Sequence, residues 1–436
     1  MMTVVNTGAG KIDKAGILAN SLTMRKTNDR EEKMPQPGRV SRRTILTGAA
    51  GFVSASVMSL ETPIASAQDR GAAVEPGRGP NEVGTRSPFE QPKRVPAGAA
   101  SRTPLQDLHG MITPSDLHFE RHHSGVPAID PRTYRLLVHG LVERPTVFTL
   151  DDLKRFPSVS RICFLECSGN LGRQGGEKTR PQELCGLTSQ NEWTGVMLST
   201  VLREVGARPD AKWFLAEGQD AAVMTRSIPI EKAFDDAMIA YAQNGEALRP
   251  EQGYPVRLLL PGFEGNSNVK WLRRLDLAAK PFMTREETSK YTDPLADGTA
   301  RQFSFVMDGR SVITSPVYPQ KIEPGWMEVR GIAWSGRGKI QRVAITTDGG
   351  KTWSKALLQE PVLSKAHTRF RMMWKWDGAP AVIMSKAIDE TGYAQPDWTS
   401  LEAVRGRRTR YHQNPITGWK VGADGQVLFA IERVSE

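Results

Sequence analysis

From about residue 300 the chain becomes a series of short runs in which apolar and polar residues alternate, parted by Asp-Gly turns. "MEVRGIAWSG" (327–336), "KIQRVAITTDGGKTW" (339–353), "HTRFRMMWKWDG" (367–378) and "PAVIMSKAID" (380–389) are the clearest. Successive side chains of a strand point to opposite faces, so this period suits sheets with one buried and one wet face. Asp348-Gly349-Gly350 is hairpin chemistry, because glycine accepts the positive φ that tight turns demand. The pattern predicts an antiparallel β-sandwich of immunoglobulin type over residues 301–436, with no helix pattern inside it.

Residues 107–300 have another texture. "YRLLVHGLV" (134–142), "VSRICFLEC" (159–167), "KWFLAEG" (212–218), "YPVRLLLPG" (254–262) and "NVKWLRRLDL" (268–277) read as strands. "TLDDLKRF" reads as a short helix capped by Thr149, and "LSTVLREVG" as one stopped by Gly206. "IPIEKAFDDAMIAYAQNG" (228–245) carries apolar residues at helical spacing, with Pro229 near its start and Gly245 past its end, and predicts one continuous helix. Strands and helices mix without regular βαβ alternation, which favours an α+β class. A length of 436 residues with 39% hydrophobic and 24% charged residues accommodates two such domains and their cores.

The amino terminus is a processing segment. Arg42-Arg43 precedes an apolar stretch, Ile45 to Leu60, diluted by two Gly and three Ser, and Ala65-Ser66-Ala67 offers a cleavage site. Residues 1–67 thus read as a Tat-type export signal, and the expected compartment is the periplasm. That route moves folded proteins, which favours a chain that takes up a cofactor before export. No stretch reaches the run of roughly 18 apolar residues needed to span a membrane. Residues 68–106, rich in Gly, Pro and Arg, read as an extended arm or linker. The net charge is +10, but nine Lys/Arg and five Asp/Glu fall in 1–67, leaving +6 for the remainder. No basic stripe interleaved with aromatics is present, so a nucleic-acid partner is not expected.

Two of the three cysteines lie in "CFLEC", at Cys163 and Cys167. Four residues apart on one strand, they share a face with their Cα atoms too distant to bridge. Cys185 could pair with either if the intervening loop returns. Cys-x-x-Cys-His and Cys/His zinc spacings are absent, so neither a c-type haem nor a structural zinc is indicated. Cys167 stands where a strand gives way to the turn Ser168-Gly169-Asn170, and a thiolate there suits a nucleophile or a soft-metal ligand.

The run "CSGN" resembles the Cys-x-Gly-Asn motif of the sulfite oxidase family of molybdenum enzymes. The resemblance continues in the family's order through "HFERHHSGVP" (118–127), "EWTGVML" (192–198), "AEGQD" (216–220), "GYPVRLLLPG" (253–262), "NVKWLRRL" (268–275) and "SKYTD" (289–293). It ends with "AWSGRGKIQRVAITTDGGKTW" (333–353). It spans about residues 110–420, and "MTREETSKYTD" and "AYAQNGEALRPEQGYP" are most similar to the family's sulfane dehydrogenase branch, which serves bacterial thiosulfate oxidation.

The resemblance implies a molybdopterin-binding oxidoreductase domain at 107–300 and a dimerisation sandwich at 301–436. It implies Cys167 as the protein ligand to molybdenum, beside the two sulfurs of a pterin dithiolene. Arg121 and His123 match pterin contacts, Arg257 a phosphate contact, and Val269, Lys270 and Trp271 the family's Val-Lys-Trp. Asp220 matches a carboxylate that accepts from pterin N–H groups. Gln252 replaces the histidine expected before "GYP", and an amide can still hydrogen-bond. Tyr291 matches the active-site tyrosine and Trp193 a substrate-pocket tryptophan. Two arginines normally follow Cys-x-Gly-Asn and grip sulfite; here Leu171 and Gly172 stand in their place, with Arg173 next. This departure and a longer loop suit a larger substrate, sulfane sulfur carried on a cysteine of a carrier protein. Free sulfite is the alternative. Without a haem motif, electrons must leave to a separate c-type cytochrome subunit, and the expected assembly is a homodimer, or a heterotetramer with that cytochrome. A metal-free binding or scaffold protein is the contrary reading, and the presence of Cys167, Arg257, Lys270 and Tyr291 speaks against it.

Overall fold

The strand Ser158–Glu166 carries the motif cysteine just past its end and pairs along its whole length with Thr188–Met197. Thr188–Met197 pairs in turn with Met238–Gln243, which takes Arg257–Leu259 along its first half and Glu246–Ala247 along its second. A second sheet has the order Thr146–Phe148, Leu136–Gly140, Leu272–Ala278, Trp213–Gly218, Thr225–Pro229. Leu136–Gly140 and Leu272–Ala278 run parallel and the other pairs antiparallel. Leu136, Val138, Val196, Ile239, Leu258 and Leu275 pack together with no exposed surface. These observations come from a computed structural model, which describes residues 79–171, 176–295, 297–406 and 410–430. The export signal at 1–67 and Arg173 lie outside the described residues.

The helix Leu150–Arg155 starts as its sequence indicates. Thr149 Oγ1 accepts from the Asp152 N–H and the Asp152 carboxylate accepts from the Thr149 N–H. Such a reciprocal cap contributes about 1 kcal/mol. The run 228–245 differs from its expectation. It divides into the end of the strand Thr225–Pro229, a helix at Ile230–Asp235 and the strand Met238–Gln243. Met238, Ile239 and Ala240 are wholly buried and sit between two neighbouring strands. A strand covered on both faces shows an unbroken apolar run, which mimics helical spacing. Asn244 and Gly245, both at positive φ, make the two-residue turn into Glu246–Ala247. Asn-Gly there is a hairpin turn, not a helix stop.

The arm at 68–106 is also more structured than its composition suggests. Val95–Ala97 and Ala100–Arg102 form a three-stranded sheet with Glu120–Arg121. Leu105 is 3% exposed and joins Phe164 and Leu184 in the core, so the fold reaches back before residue 107. This small sheet fixes Arg121 opposite Ala100.

After residue 300 the expected sandwich forms. One sheet has the order Arg310–Ser315, Gly325–Trp334, Thr368–Trp376, Leu357–Leu358; the other runs Ser354–Lys355, Ile340–Thr346, Ala381–Asp389, Gly418–Val421, Val427–Ala430. Asp348-Gly349-Gly350 returns the chain as a hairpin, pairing Ile345 with Ser354. Asp377-Gly378 does otherwise and passes the chain from one sheet to the other. A helix, Trp398–Arg405, does occur inside the sandwich region, capped by Asp397, whose side chain accepts from Ser400 N–H at 2.7 Å.

The sandwich is tied to the first domain through His367, buried against Phe164, with Nε2 2.9 Å from Thr188 Oγ1. Burial, then the nearby Arg369, lowers its pKa to about 3. The unfolded imidazole takes a proton near 6.5, whereas the folded one does not until about 3. Unfolding therefore takes up a proton between those values, and stability falls as pH drops through that window. His367→Gln is expected to remove roughly 3 kcal/mol of the stability lost between pH 7 and pH 4. Urea unfolding of both proteins at the two pH values checks this; parallel pH profiles would show that His367 is not the source.

Candidate functional site

Past Glu166 the chain makes a turn held from several sides. Cys167 N–H donates to Leu187 O, and Asn170 N–H to Cys167 O, both at 2.9 Å. The Asn170 amide donates to Glu166 Oε1 at 3.0 Å and Cys185 O at 2.9 Å, and accepts from Leu187 N–H at 3.1 Å. The motif asparagine thus locks the loop that presents the thiol. Gly265 lies against it; a Cβ there would stand 2.9 Å from Glu166 O and 3.3 Å from the Cys167 Cα. The motif residue Leu171, at φ 74, turns into the core beside Leu184 and Cys185.

Glu166 is itself 1% exposed and receives three donors. Besides Asn170 they are Arg310 Nη1 at 2.8 Å and Trp334 Nε1 at 2.6 Å, both from the sandwich. All three cysteines are free thiols, so the pairing left open for Cys185 does not form. Burial pushes Cys163 and Cys185 up to about 12, as fits inert core thiols. Burial also raises Cys167, opposed by the Gly169 N–H and by the charge of Arg121.

Cys167 opens onto a cavity lined by residues of the first domain. Of the residues implied by sequence, Arg121, His123, Asp220, Gln252, Arg257, Val269, Lys270, Trp271 and Tyr291 all line it. Trp193 does not. It is wholly buried behind Arg257, whose guanidinium lies 5.0 Å from its ring, so it supports the cavity wall instead of forming a substrate pocket. Its ring is packed in a cluster with Phe119, Cys163, Leu165 and Met238.

The cavity's charge balance shows what it is built to receive. Arg257 is 3% exposed and donates to Gln252 O and Asn268 O, each at 3.0 Å. Lys270 Nζ donates to His122 Nδ1 at 2.8 Å and Glu251 O at 2.9 Å. Neither has a carboxylate at ion-pair distance among the described residues. Burial lowers Arg257 to about 9, and burial with the charge of Arg257 lowers Lys270. A buried and a half-buried cation without counter-ions are costly unless an anion joins them. A phosphate on a bound cofactor is such an anion, and a guanidinium beside an ammonium suits it. Asp220, 4% exposed, accepts from Met224 N–H through Oδ1 and keeps Oδ2 for a donor such as a pterin N–H. No cluster of three His, Cys, Asp or Glu side chains that could hold a metal occurs among the described residues. The donor set therefore fits a metal that brings most of its ligands on a pterin and takes one soft thiolate from the chain.

Tyr291 stands over the opening with its Oη 2.9 Å from His123 Nε2. Its ring lies under the Arg226 guanidinium at 5.0 Å and 5.3 Å from the Tyr411 ring. Burial, then the negative form of Cys167, pushes the Tyr291 phenol well above its usual range. Arg226 is anchored by Glu264 and Glu287 at 3.0 and 2.8 Å. His412 N–H donates to Ser168 O at 2.8 Å, and its ring lies 3.3 Å from Glu264. His118, Glu166, Arg226, Glu264 and Tyr411 were not singled out by sequence. For Glu166 and Arg226 the available signal was a charged residue within an apolar strand, most plainly Glu166 after "CFL".

A fold and cavity of this kind define a molybdopterin oxidoreductase followed by a dimerisation sandwich. The model of the oxidoreductase molybdopterin binding domain matches residues 123–286, and that of the Mo-co oxidoreductase dimerisation domain matches 301–418. The chain belongs to the sulfite oxidase family, and its cofactor is a molybdenum pterin. It is 31% identical to the sulfite oxidase of Gallus gallus, over 66% of this chain and 68% of that protein. It is 32% identical to the mitochondrial sulfite oxidase of Mus musculus, over 66% of this chain and 58% of that protein. It is also 32% identical to the NADH nitrate reductase of Ulva prolifera, over 69% of this chain but 40% of that one. The chain thus spans about half the length of several curated relatives. Among solved structures, the sulfane dehydrogenase SoxCD from Paracoccus pantotrophus is similar at 44% identity with a TM-score of 0.80, covering 83% of this chain and 96% of that chain.

Proposed function

We propose that the chain oxidises sulfane sulfur carried on a cysteine of a separate protein, adding oxygen from water, and passes the electrons to a separate c-type cytochrome subunit. The observation that carries this reading is the 44% identity to a sulfane dehydrogenase over 96% of that chain. The position of Leu171 supports it. Where the family's first sulfite-gripping arginine would stand, this side chain is 3% exposed and packed into the core, unable to meet an anion.

When bound, the molybdenum cofactor supplies two-electron oxygen transfer to sulfur. Cys167 would ligate the metal, Arg257 and Lys270 would hold the phosphate, and Asp220 would accept from the pterin. Arg121, beside Cys167, holds negative charge on the substrate. Oxidation with water releases protons, and Tyr291 Oη with His123 Nε2 forms a path for them from the cavity to a ring that reaches solvent. The raised phenol keeps Tyr291 protonated at neutral pH, so it serves as donor and relay, not as a resting base.

Trp326, Met373 and Leu357 are exposed on one outer face of the sandwich, opposite Lys375, Glu328 and Arg371 respectively, and this face suits a homodimer. The export signal in 1–67 would place the assembly in the periplasm. The second reading, oxidation of free sulfite, is favoured by Arg121 as a remaining anion grip. Cytochrome reduction rates decide between them. Thiosulfate-loaded carrier protein is expected to exceed free sulfite in kcat/KM by about 100-fold or more; equal or better rates with sulfite would favour the second reading.

A further inference from the structure

His118 lines the cavity yet belongs to none of the contacts described above. It precedes the small strand Glu120–Arg121 and is 1% exposed. Its ring is held between two aromatics, stacked on Phe119 at 5.0 Å and edge-on to Trp193 at 5.7 Å. Nδ1 lies 2.8 Å from Phe119 O, a geometry that requires Nδ1 to carry the proton and donate. Nε2 is then a bare lone pair. It is buried and has no hydrogen-bond partner in the protein. An imidazole whose orientation is fixed on three sides, with its fourth side an unmet acceptor, is expensive to keep in a core without a ligand.

We propose that His118 is a further cofactor-binding residue, accepting through Nε2 a hydrogen bond from an N–H or O–H of the bound pterin cofactor. Three observations agree. The residue lines the same cavity as Asp220, Arg257 and Lys270. Its neutral form is enforced, since burial and the charges of Arg257, Lys270 and Arg94 lower its pKa to about 3, opposed by its bond to Phe119 O. A neutral ring so placed cannot serve as another cation for the phosphate; it selects a donor. Phe119 O also accepts from Gln252 Nε2 at 3.0 Å, so the imidazole is not needed to satisfy that carbonyl. The role left to the ring is toward the cavity.

The proposal rests on the cofactor assignment, and the molybdenum content of the unaltered protein tests that assignment separately. For His118 itself, the rate at which the purified holoenzyme loses molybdenum and pterin on dilution into mild urea is measured for His118→Phe and His118→Gln. Phenylalanine keeps the stacking and removes the acceptor; glutamine returns an acceptor oxygen. Loss is expected to be roughly three- to tenfold faster in His118→Phe, the range of one hydrogen bond, with partial recovery in His118→Gln. The unfolding midpoint of the cofactor-free full chain should not fall in His118→Phe, because an unmet polar atom has been removed. Unchanged cofactor release in His118→Phe would overturn the proposal. So would destabilisation of the cofactor-free chain equal to that of the holoenzyme, which is the signature of a packing role alone.

Discussion

Cys167→Ser is expected to lower activity by at least about 100-fold, beyond the usual loss for weakening a metal ligand's support, while leaving the fold intact. Serine has the same shape, but its hydroxyl does not ionise near neutral pH and offers a hard oxygen where a soft sulfur is needed. The loop does not depend on the thiol for its form. Asn170, Leu187 and Ser168 hold it through bonds that the substitution leaves in place. The unfolding free energy should therefore change by no more than about 0.5 kcal/mol. Steady-state rates, molybdenum content and urea unfolding of the same preparation check both halves. A fully active Cys167→Ser protein would contradict the site.

Glu166→Ala should be far more damaging to the fold. It removes one partner of a buried ion pair, with Glu166 2% and Arg310 4% exposed in their side chains. It also strips Trp334 Nε1 and one Asn170 amide hydrogen of their acceptor. Breaking such a pair from one side costs about 3–5 kcal/mol, because the remaining charge stays buried. The double variant Glu166→Leu/Arg310→Met, which removes both charges, should recover much of that loss. It should not recover cofactor retention, since Asn170 still lacks the bond that locks the loop beneath Cys167. Denaturant unfolding of the single and double variants, with molybdenum content measured alongside, is the check. A cost below about 1 kcal/mol for Glu166→Ala would show that the pair is not doing what its geometry indicates.

These two sites differ in how they could be read from the chain. Cys167 was legible because it ends an apolar strand and begins a turn, all within "FLECSGN". Glu166 stands beside it, but two of its three partners, Arg310 and Trp334, are 144 and 168 residues away, in another domain. No local pattern reports on such a pair. The sandwich was legible because a half-wet strand has a period of two, and Asp348-Gly349-Gly350 is a turn in any context. Met238–Gln243 was misread for the opposite reason. Covered on both faces, it loses the alternation that marks a strand, and the Asn244-Gly245 turn can be taken for a helix end. Trp193 lay in a matched motif, but only its full burial behind Arg257 shows that it is not part of the cavity lining. His118 lay in a quoted run as well; its unmet Nε2 appears only once Phe119 O and the cavity are in place.

The central claim is that one sulfur of this chain binds molybdenum. X-ray absorption at the molybdenum edge, on protein made in a cofactor-competent host, tests it directly. The account predicts roughly one metal per chain, with a protein thiolate beside the pterin sulfurs and one fewer sulfur neighbour in Cys167→Ser. Protein that takes up no molybdenum from such a host, or a sulfur count unchanged by the substitution, would contradict it.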